Sequence, residues 1–287
     1  MWAPIERVGV VGCGLMGSGI AEVSARAGTH VVVVEANDDA LAAGRHRIQS
    51  SLEKAHRRGK LAGSPSDVLD GMVFSTDFSA LSDRQLVIEA VVENLDAKLA
   101  VFTQLDEVVK DPEAILASNT SSIPVIRLAM ATSRPKQVLG MHFFNPVPVM
   151  RLVELVTTLR TTEEVVERAA AFAEDVLGKH VVRAKDRAGF IVNALLIPYL
   201  LAAIRMVESG FATPEDIDMS MVEGCNHPMG PLALCDLIGL DTVAAVAVSL
   251  YEEFKEPLYA PPPLLARMCE AGLLGRKSGG GFYPYER

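Results

Sequence analysis

Positive charge is short in this chain: 27 Lys and Arg stand against 36 Asp and Glu, a formal net charge of −9 over 287 residues. A nucleic-acid partner, which needs a broad basic field, is excluded on that ground, and any anion site must be local. Cysteine is also scarce. Cys13, Cys225, Cys235 and Cys269 show no C-x-x-C spacing and no clustering with histidine, so four thiols are expected, with neither a disulfide framework nor a metal site. Long apolar runs are missing too. The longest uncharged stretch, Ala188 to Ile204, stops short of the roughly 18 residues that a membrane span requires and contains Asn193 and Pro198. It predicts a buried core helix, with no membrane as partner. No internal repeat is visible, and the one biased segment, Pro257 to Pro263, reads as a rigid connection between helices. A strand-like run at Val8 to Val11 leaves no room ahead of it for a signal or transit peptide, so the expected location is cytoplasmic.

What is present is a globular composition, 49% apolar and 22% charged, on a chain long enough for two cores. The first segments read strand (Arg7 to Val11), glycine-rich turn, helix (Gly14 to Ala27) and strand (His30 to Val34), a βαβ unit. Val31 to Val34 show no polar alternation, as a parallel strand covered on both faces requires. A basic helix follows over Asp38 to Lys60, and further strand-like runs fall at Leu86 to Ala90, Ala114 to Ala117, Val138 to His142 and Leu152 to Val156. That alternation is α/β. Beyond Asp186 helical periodicity takes over at Val192 to Ser209, Asp216 to Glu223 and Leu240 to Glu253. The expected organisation is therefore a doubly wound dinucleotide-binding domain over residues 1–185 and a smaller all-helical domain over 186–287.

Gly12-Cys13-Gly14-Leu15-Met16-Gly17 fits G-x-G-x-x-G between a strand and a helix, and Glu35 ends the next strand. Glycines at these places allow the tight turn, the approach of a pyrophosphate, and close packing of helix on strand. A carboxylate at Glu35 would accept from ribose hydroxyls and repel an additional phosphate, which favours NAD over NADP. Cys13 is expected to be a small filler residue in the phosphate turn.

His142 stands at the end of an apolar strand, where open α/β sheets place their ligands. Oxidising a secondary alcohol needs a base for the hydroxyl proton while hydride leaves for the nicotinamide, and histidine suits that task. Glu154 is a lone carboxylate among apolar neighbours twelve residues on, and such a group requires a partner. Paired with one nitrogen of His142, it would fix the tautomer and stabilise the imidazolium. From the pattern alone, a core histidine that is simply hydrogen-bonded is the commoner reading.

The run HFFNPVPVMRLVE from His142 to Glu154, with ASNTSSI at Ala117 to Ile123, resembles the 3-hydroxyacyl-CoA dehydrogenase family. VVENLDAK at Val91 to Lys98, GFIVNALL at Gly189 to Leu196, HPMGPLALCDLIGLD at His227 to Asp241 and GRKSGGGFYPY at Gly275 to Tyr285 agree, in the family's order along nearly the whole chain. The resemblance implies a Rossmann-type NAD domain, a helical domain through which two copies dimerise, and an active site in the cleft between the domains. It implies His142 as base, Glu154 as its partner, and Ser121 as a hydroxyl on the substrate oxygen. Asn193 would orient the same region, and Asn145 would support substrate and cofactor. Glu93 and Lys98 would lie on the nicotinamide side of the NAD site. The substrate implied is an (S)-3-hydroxyacyl-CoA, and a stand-alone chain of this type most resembles the family's short-chain, 3-hydroxybutyryl-CoA members.

An acyl-CoA carries phosphates, and the basic segment Arg45 to Lys60 supplies cations, with Lys54 and Lys60 the candidate contacts. A solvated helix face is the alternative for both. Ser121 or Ser122 could instead cap a helix before Pro124, and Asn193 could serve as an interhelical hydrogen bond. Two places depart from the family: Glu35 stands where Asp is frequent, and Arg187-Ala188-Gly189 where Thr-Pro-Gly is usual, which would loosen the connection between domains. Three competing functions remain at this stage: a gulonate-type sugar-acid dehydrogenase, a hydroxyacyl dehydrogenase acting on an acyl carrier protein, and a non-catalytic NAD-binding structural protein. The aromatic pair in HFFNPVPVM speaks against the first.

Overall fold

The structure, a computed structural model, describes residues 4–286; the outermost residues of the two expected domains, 1–3 and 287, lie outside them. The chain divides into two compact units, Met1–Arg187 and Ala188–Arg287.

In the first unit, strands β1 (Arg7–Val11), β2 (His30–Val34), β3 (Met72–Ser75), β4 (Leu86–Glu89), β5 (Ile115–Ser118), β6 (Val138–Phe143), β7 (Leu152–Thr157) and β8 (His180–Lys185) form one sheet. Their order is β3-β2-β1-β4-β5-β6-β7-β8. Neighbours run parallel except for the antiparallel β6–β7 pair, so β7 and β8 oppose the other six. Order reverses between β1 and β4, and an open sheet receives its ligand at such a switch point, beyond the carboxyl ends of the strands. Val31, Val32, Val33 and Val34 are all buried. Each valine so covered contributes about 1.5–3 kcal/mol relative to exposure, which is why this strand needs no polar face.

Helices α1 (Leu15–Arg26), α2 (Asp38–Arg57), α3 (Pro65–Asp70), α4 (Leu95–Val108), α5 (Val125–Ala129) and α6 (Glu163–Ala171) accompany the sheet. Asn37 starts α2 and Asn94 starts α4, each accepting from the backbone N–H three residues on. Asp38 and Asp39 in the first turn of α2 and Lys54, His56 and Arg57 in its last complement the helix dipole. Glycine is required at the first turn. Gly12 has φ +89°, and a Cβ on Gly17 would sit 1.8 Å from the Gly12 carbonyl oxygen, so helix and turn pack at a distance that admits no side chain.

The second unit is helical: α7 (Val192–Glu208), α8 (Pro214–Cys225), α9 (Pro231–Ile238), α10 (Leu240–Phe254) and α11 (Pro263–Glu270). α7 starts at Val192, where the helical periodicity begins; the front of the uncharged run stays outside it because Gly189 and Phe190 take left-handed φ of 73° and 49°, which breaks helical geometry upstream. Inside the second unit the Ala188 N–H, which a proline would lack, donates to Glu253 Oε2 at 2.9 Å. Two buried carboxylates organise the other end of the unit. Asp218 accepts from the N–H groups of Leu232 and Ala233 at the start of α9 and from the Tyr283 hydroxyl. Asp236 accepts from the N–H groups of Phe282 and Tyr283 and from the Tyr285 hydroxyl. Burial, reinforced by the bond to Asp218, pushes the Tyr283 hydroxyl well above its usual range, so it remains a donor. The HPMGP and GFYPY segments are thereby joined. Among the described residues no single helix is long and apolar enough to cross a membrane; α9 and α10 reach that length only together, bent by 97°.

Candidate active site

The first part of the site is the turn after β1. The N-terminus of α1 carries no side-chain cap, since Gly14 stands at that place. Its first N–H groups and the positive end of the helix dipole are thus directed at whatever lies over the turn, the arrangement that receives phosphate. A Cβ on Gly14 would meet nothing within 4 Å, so that position opens onto space. Glu35 directly follows β2 and does not simply face solvent: Oε1 accepts from the Cys13 N–H at 2.5 Å and Oε2 from the Ala36 N–H at 3.0 Å. On the other side of the turn the Arg47 guanidinium donates to the Cys13 carbonyl at 3.1 Å. Burial, then the Glu35 charge, pushes the Cys13 thiol up to about 12 against an opposing effect of Arg47, so the thiol stays protonated and acts as packing under Gly44. A cavity of about 420 Å³ beside the turn is lined by Gly12, Gly14, Glu35, Ala36, Phe78 and Val91 among others. Leu15 is exposed and Met16 half-buried at the start of α1. A carboxylate at the lip, apolar walls and an uncapped helix end fit an adenine dinucleotide.

Across the switch point, the loop after β5 carries Ser121. Glu93 Oε1 gathers it, accepting from the Thr120 hydroxyl at 2.6 Å, the Ser121 N–H at 2.9 Å, the Ser122 N–H at 3.1 Å and the Ser122 hydroxyl at 2.8 Å. Burial opposes ionisation of Glu93, but the Lys98 ammonium at 3.3 Å and these hydrogen bonds outweigh it and hold the carboxyl below the usual range. The Ser121 hydroxyl makes no hydrogen bond among the described residues, so it remains available to a bound oxygen. Lys98 itself is buried at 1% exposure and bonds Glu89 at 2.6 Å.

The third part is the β6–β7 pair, in whose register His142 lies directly opposite Glu154. Opposed residues of an antiparallel pair project to the same face, and Nδ1 of His142 sits 2.7 Å from Glu154 Oε2. A carboxylate only accepts, so this contact uses the Nδ1–H of the ring, and in a neutral imidazole the lone pair is then on Nε2. The Phe144 ring packs against the imidazole with centroids 4.6 Å apart. Asn119 connects this part to the serine loop, its Oδ1 accepting from the Phe143 N–H at 2.9 Å.

The expected residues therefore fall into groups: Gly12, Gly14, Gly17 and Glu35 around the turn, Glu93, Lys98 and Ser121 together, and His142 hydrogen-bonded to Glu154. Asn145 is exposed in the loop after β6. Asn193 belongs to the second unit, half-buried in the first turn of α7. Lys54 and Lys60 are exposed on and just beyond α2, with no bond to the other site residues. The helix after Pro124 is capped by neither Ser121 nor Ser122; Asp186 accepts from the Val125 and Ile126 N–H groups instead. Sequence reasoning missed Glu89, Ser118, Asn119 and Arg47. Glu89 was within reach, because it closes an apolar strand just as Glu35 does.

A family model described as 3-hydroxyacyl-CoA dehydrogenase, NAD binding domain, matches residues 7–187, and one described as the C-terminal domain of the same enzyme matches residues 189–285. A 3-hydroxybutyryl-CoA dehydrogenase of Mycobacterium tuberculosis is 61% identical over 98% of this chain and 99% of its own. The crystal structure of M. tuberculosis FadB2 superposes with a TM-score of 0.97 at 61% identity, covering 99% of this chain and all of the other. That of (S)-3-hydroxybutyryl-CoA dehydrogenase from Ralstonia eutropha gives 0.93 at 44% identity, with 99% and 100% covered.

Proposed function

The chain belongs to the 3-hydroxyacyl-CoA dehydrogenase family, and from that premise we propose that it interconverts short-chain (S)-3-hydroxyacyl-CoA and 3-oxoacyl-CoA thioesters with NAD, through His142, Glu154 and Ser121. The observation that carries the proposal is the Nδ1 to Oε2 contact of 2.7 Å between His142 and Glu154, on the sheet whose switch point holds the dinucleotide turn. NAD, when bound, supplies the acceptor for the substrate's hydride. The turn at Gly12, Gly14 and Gly17 would hold its pyrophosphate, and Glu35 its adenosine ribose.

The chain's own groups move the proton. As the C3–H bond breaks and its electron pair leaves as hydride, Nε2 of His142 takes the hydroxyl proton and the C3–O bond becomes a carbonyl. The imidazolium so formed is stabilised by Glu154 through Nδ1–H, and that stabilisation appears only as charge develops. The Ser121 hydroxyl hydrogen-bonds the reacting oxygen. In the reductive direction each transfer reverses, His142 returning its proton.

Two assays bear on this reading. Acetoacetyl-CoA should support NADH oxidation, with NADH preferred over NADPH and no turnover of a sugar acid. Turnover of the sugar acid alone, or of acetoacetyl-acyl carrier protein alone, would sink it. For the CoA nucleotide we propose Lys54 and Lys60. Reversing both to Glu should raise KM for acetoacetyl-CoA by about tenfold, roughly 1.4 kcal/mol of lost attraction, while leaving that of acetoacetyl-pantetheine unchanged. Equal effects on the two thioesters remove the assignment.

A further inference from the structure

A buried polar cluster lies behind the serine loop: Glu89 and Ser118 are fully buried, Lys98 and Thr120 are each 1% exposed. Putting a carboxylate and an ammonium out of water is costly, and apolar replacements of such pairs are frequently neutral or stabilising. The pair therefore calls for an explanation other than stability, and the hydrogen bonds supply one.

Glu89 is the last residue of β4, paired in register with Ser118, the last residue of β5. Its Oε2 accepts from the Ser118 hydroxyl at 2.6 Å, and Ser118 Oγ in turn accepts from the Thr120 N–H at 3.1 Å. Its Oε1 accepts from the Val91 N–H at 2.7 Å and from Lys98 Nζ at 2.6 Å. Lys98 stands between two anions, with Glu93 Oε2 3.3 Å away. Glu93 then offers its other oxygen to residues 120–122. The loop that presents Ser121 is thus gripped at its start by Glu89 and at its end by Glu93, with one ammonium fixing both carboxylates.

We propose that Glu89 is a positioning residue for the reaction: a fixed anion at the end of β4 that sets Ser118 and Lys98 and, through them, the loop that aims the Ser121 hydroxyl at the substrate oxygen. This rests on the role given to Ser121 above. A displacement of the order of 1 Å in such a group costs up to about a hundredfold in rate. The shape-preserving variant E89Q removes the charge while keeping the volume. The arrangement also has a signature that simple packing lacks. K98M strands two carboxylates, one fully buried, so neutralising Glu89 in the same chain should relieve part of the damage.

The experiment compares wild type, E89Q, K98M and E89Q/K98M in acetoacetyl-CoA reduction, with NADH affinity from the fluorescence of the bound dinucleotide and Tm measured alongside. E89Q should lower kcat by about tenfold to a hundredfold while NADH Kd and the KM for acetoacetyl-CoA stay within about threefold. K98M should be worse, and the double variant should recover at least about tenfold over K98M, a coupling of the size that charge networks show. Wild-type kcat in E89Q, or a folded double variant no better than a folded K98M, overturns the proposal. Should E89Q or K98M not fold, S118A decides: cutting the Glu89 tether to the loop should lower kcat about fivefold or more at unchanged NADH Kd, and an unchanged kcat overturns the proposal there too. If wild type itself fails to turn over acetoacetyl-CoA, the fault lies with the functional reading and not with Glu89.

Discussion

His142→Gln should lower turnover of acetoacetyl-CoA by about three to four orders of magnitude, roughly 4–5.5 kcal/mol of transition-state stabilisation, while NADH still binds. Gln at 142 keeps the volume and can still meet Glu154, but its amide has no lone pair able to take a proton as an alcohol is oxidised, nor a proton to give in the reverse direction. The separation of effects follows from the fold, since the dinucleotide turn is built by β1, α1 and β2 whereas His142 stands next to last in β6. Steady-state kinetics with an independent NADH titration measures both. Wild-type turnover in the variant, or loss of NADH binding at unchanged Tm, would falsify the assignment.

Glu154→Gln is the informative companion. Its amide oxygen can accept from Nδ1–H and keep the tautomer, or its NH2 can donate to Nδ1 and move the ring proton to Nε2, which disables the base. In both cases the negative charge is gone. The imidazolium that forms as the proton is taken loses its anionic partner, so the charge developing in the transition state is less stabilised. About a tenfold to hundredfold loss of kcat at unchanged NADH affinity and Tm is expected, whereas wild-type kcat in a folded Glu154→Gln would mean that Glu154 is only packing.

Much of this was legible in the sequence where one strand or one turn contains its own reason. Val31 to Val34 admit no reading but a strand covered on both faces, and Gly12 to Gly17 sit between strand and helix with an acid eighteen residues on. The edge strands were not legible. β3 is four residues long, and β8 carries polar side chains that are mostly exposed, so neither shows a run or an alternation that rises above loop composition. α9 escaped for the opposite cause, being eight residues and nearly all apolar, without periodicity. At the site, sequence could mark Lys98 for the cofactor but could not tell that it would be 1% exposed between Glu89 and Glu93. That fact depends on how α4 folds back against the end of β4 and the loop between them, which no periodicity in the sequence marks. The same holds for Asp186, which was counted as the start of the second domain and in fact caps α5.

Two glycines of one turn should fail in different ways when each is replaced by alanine. A Cβ on Gly17 would lie 1.8 Å from the Gly12 carbonyl oxygen and 2.9 Å from its carbon, far inside contact distance. Gly12 cannot move aside, because its N–H donates to the Val34 carbonyl at 2.8 Å and its own Cα side faces the Ala90 backbone. G17A must therefore drive α1 off β1, costing about 3 kcal/mol or more, as overpacking against backbone does, so Tm falls by several degrees. NADH affinity should drop by at least about a hundredfold, or roughly 2.7 kcal/mol. Gly14 presents the reverse situation. Its Cβ would meet nothing within 4 Å, and alanine there fits the free protein, so G14A should keep the Tm of wild type. If the dinucleotide's pyrophosphate crosses the turn at the uncapped end of α1, however, that methyl occupies the space it needs, and NADH affinity should still fall by about tenfold or more. Wild-type NADH affinity in G14A would mean that the phosphates take another path, and the role assigned to the helix end would be lost with it.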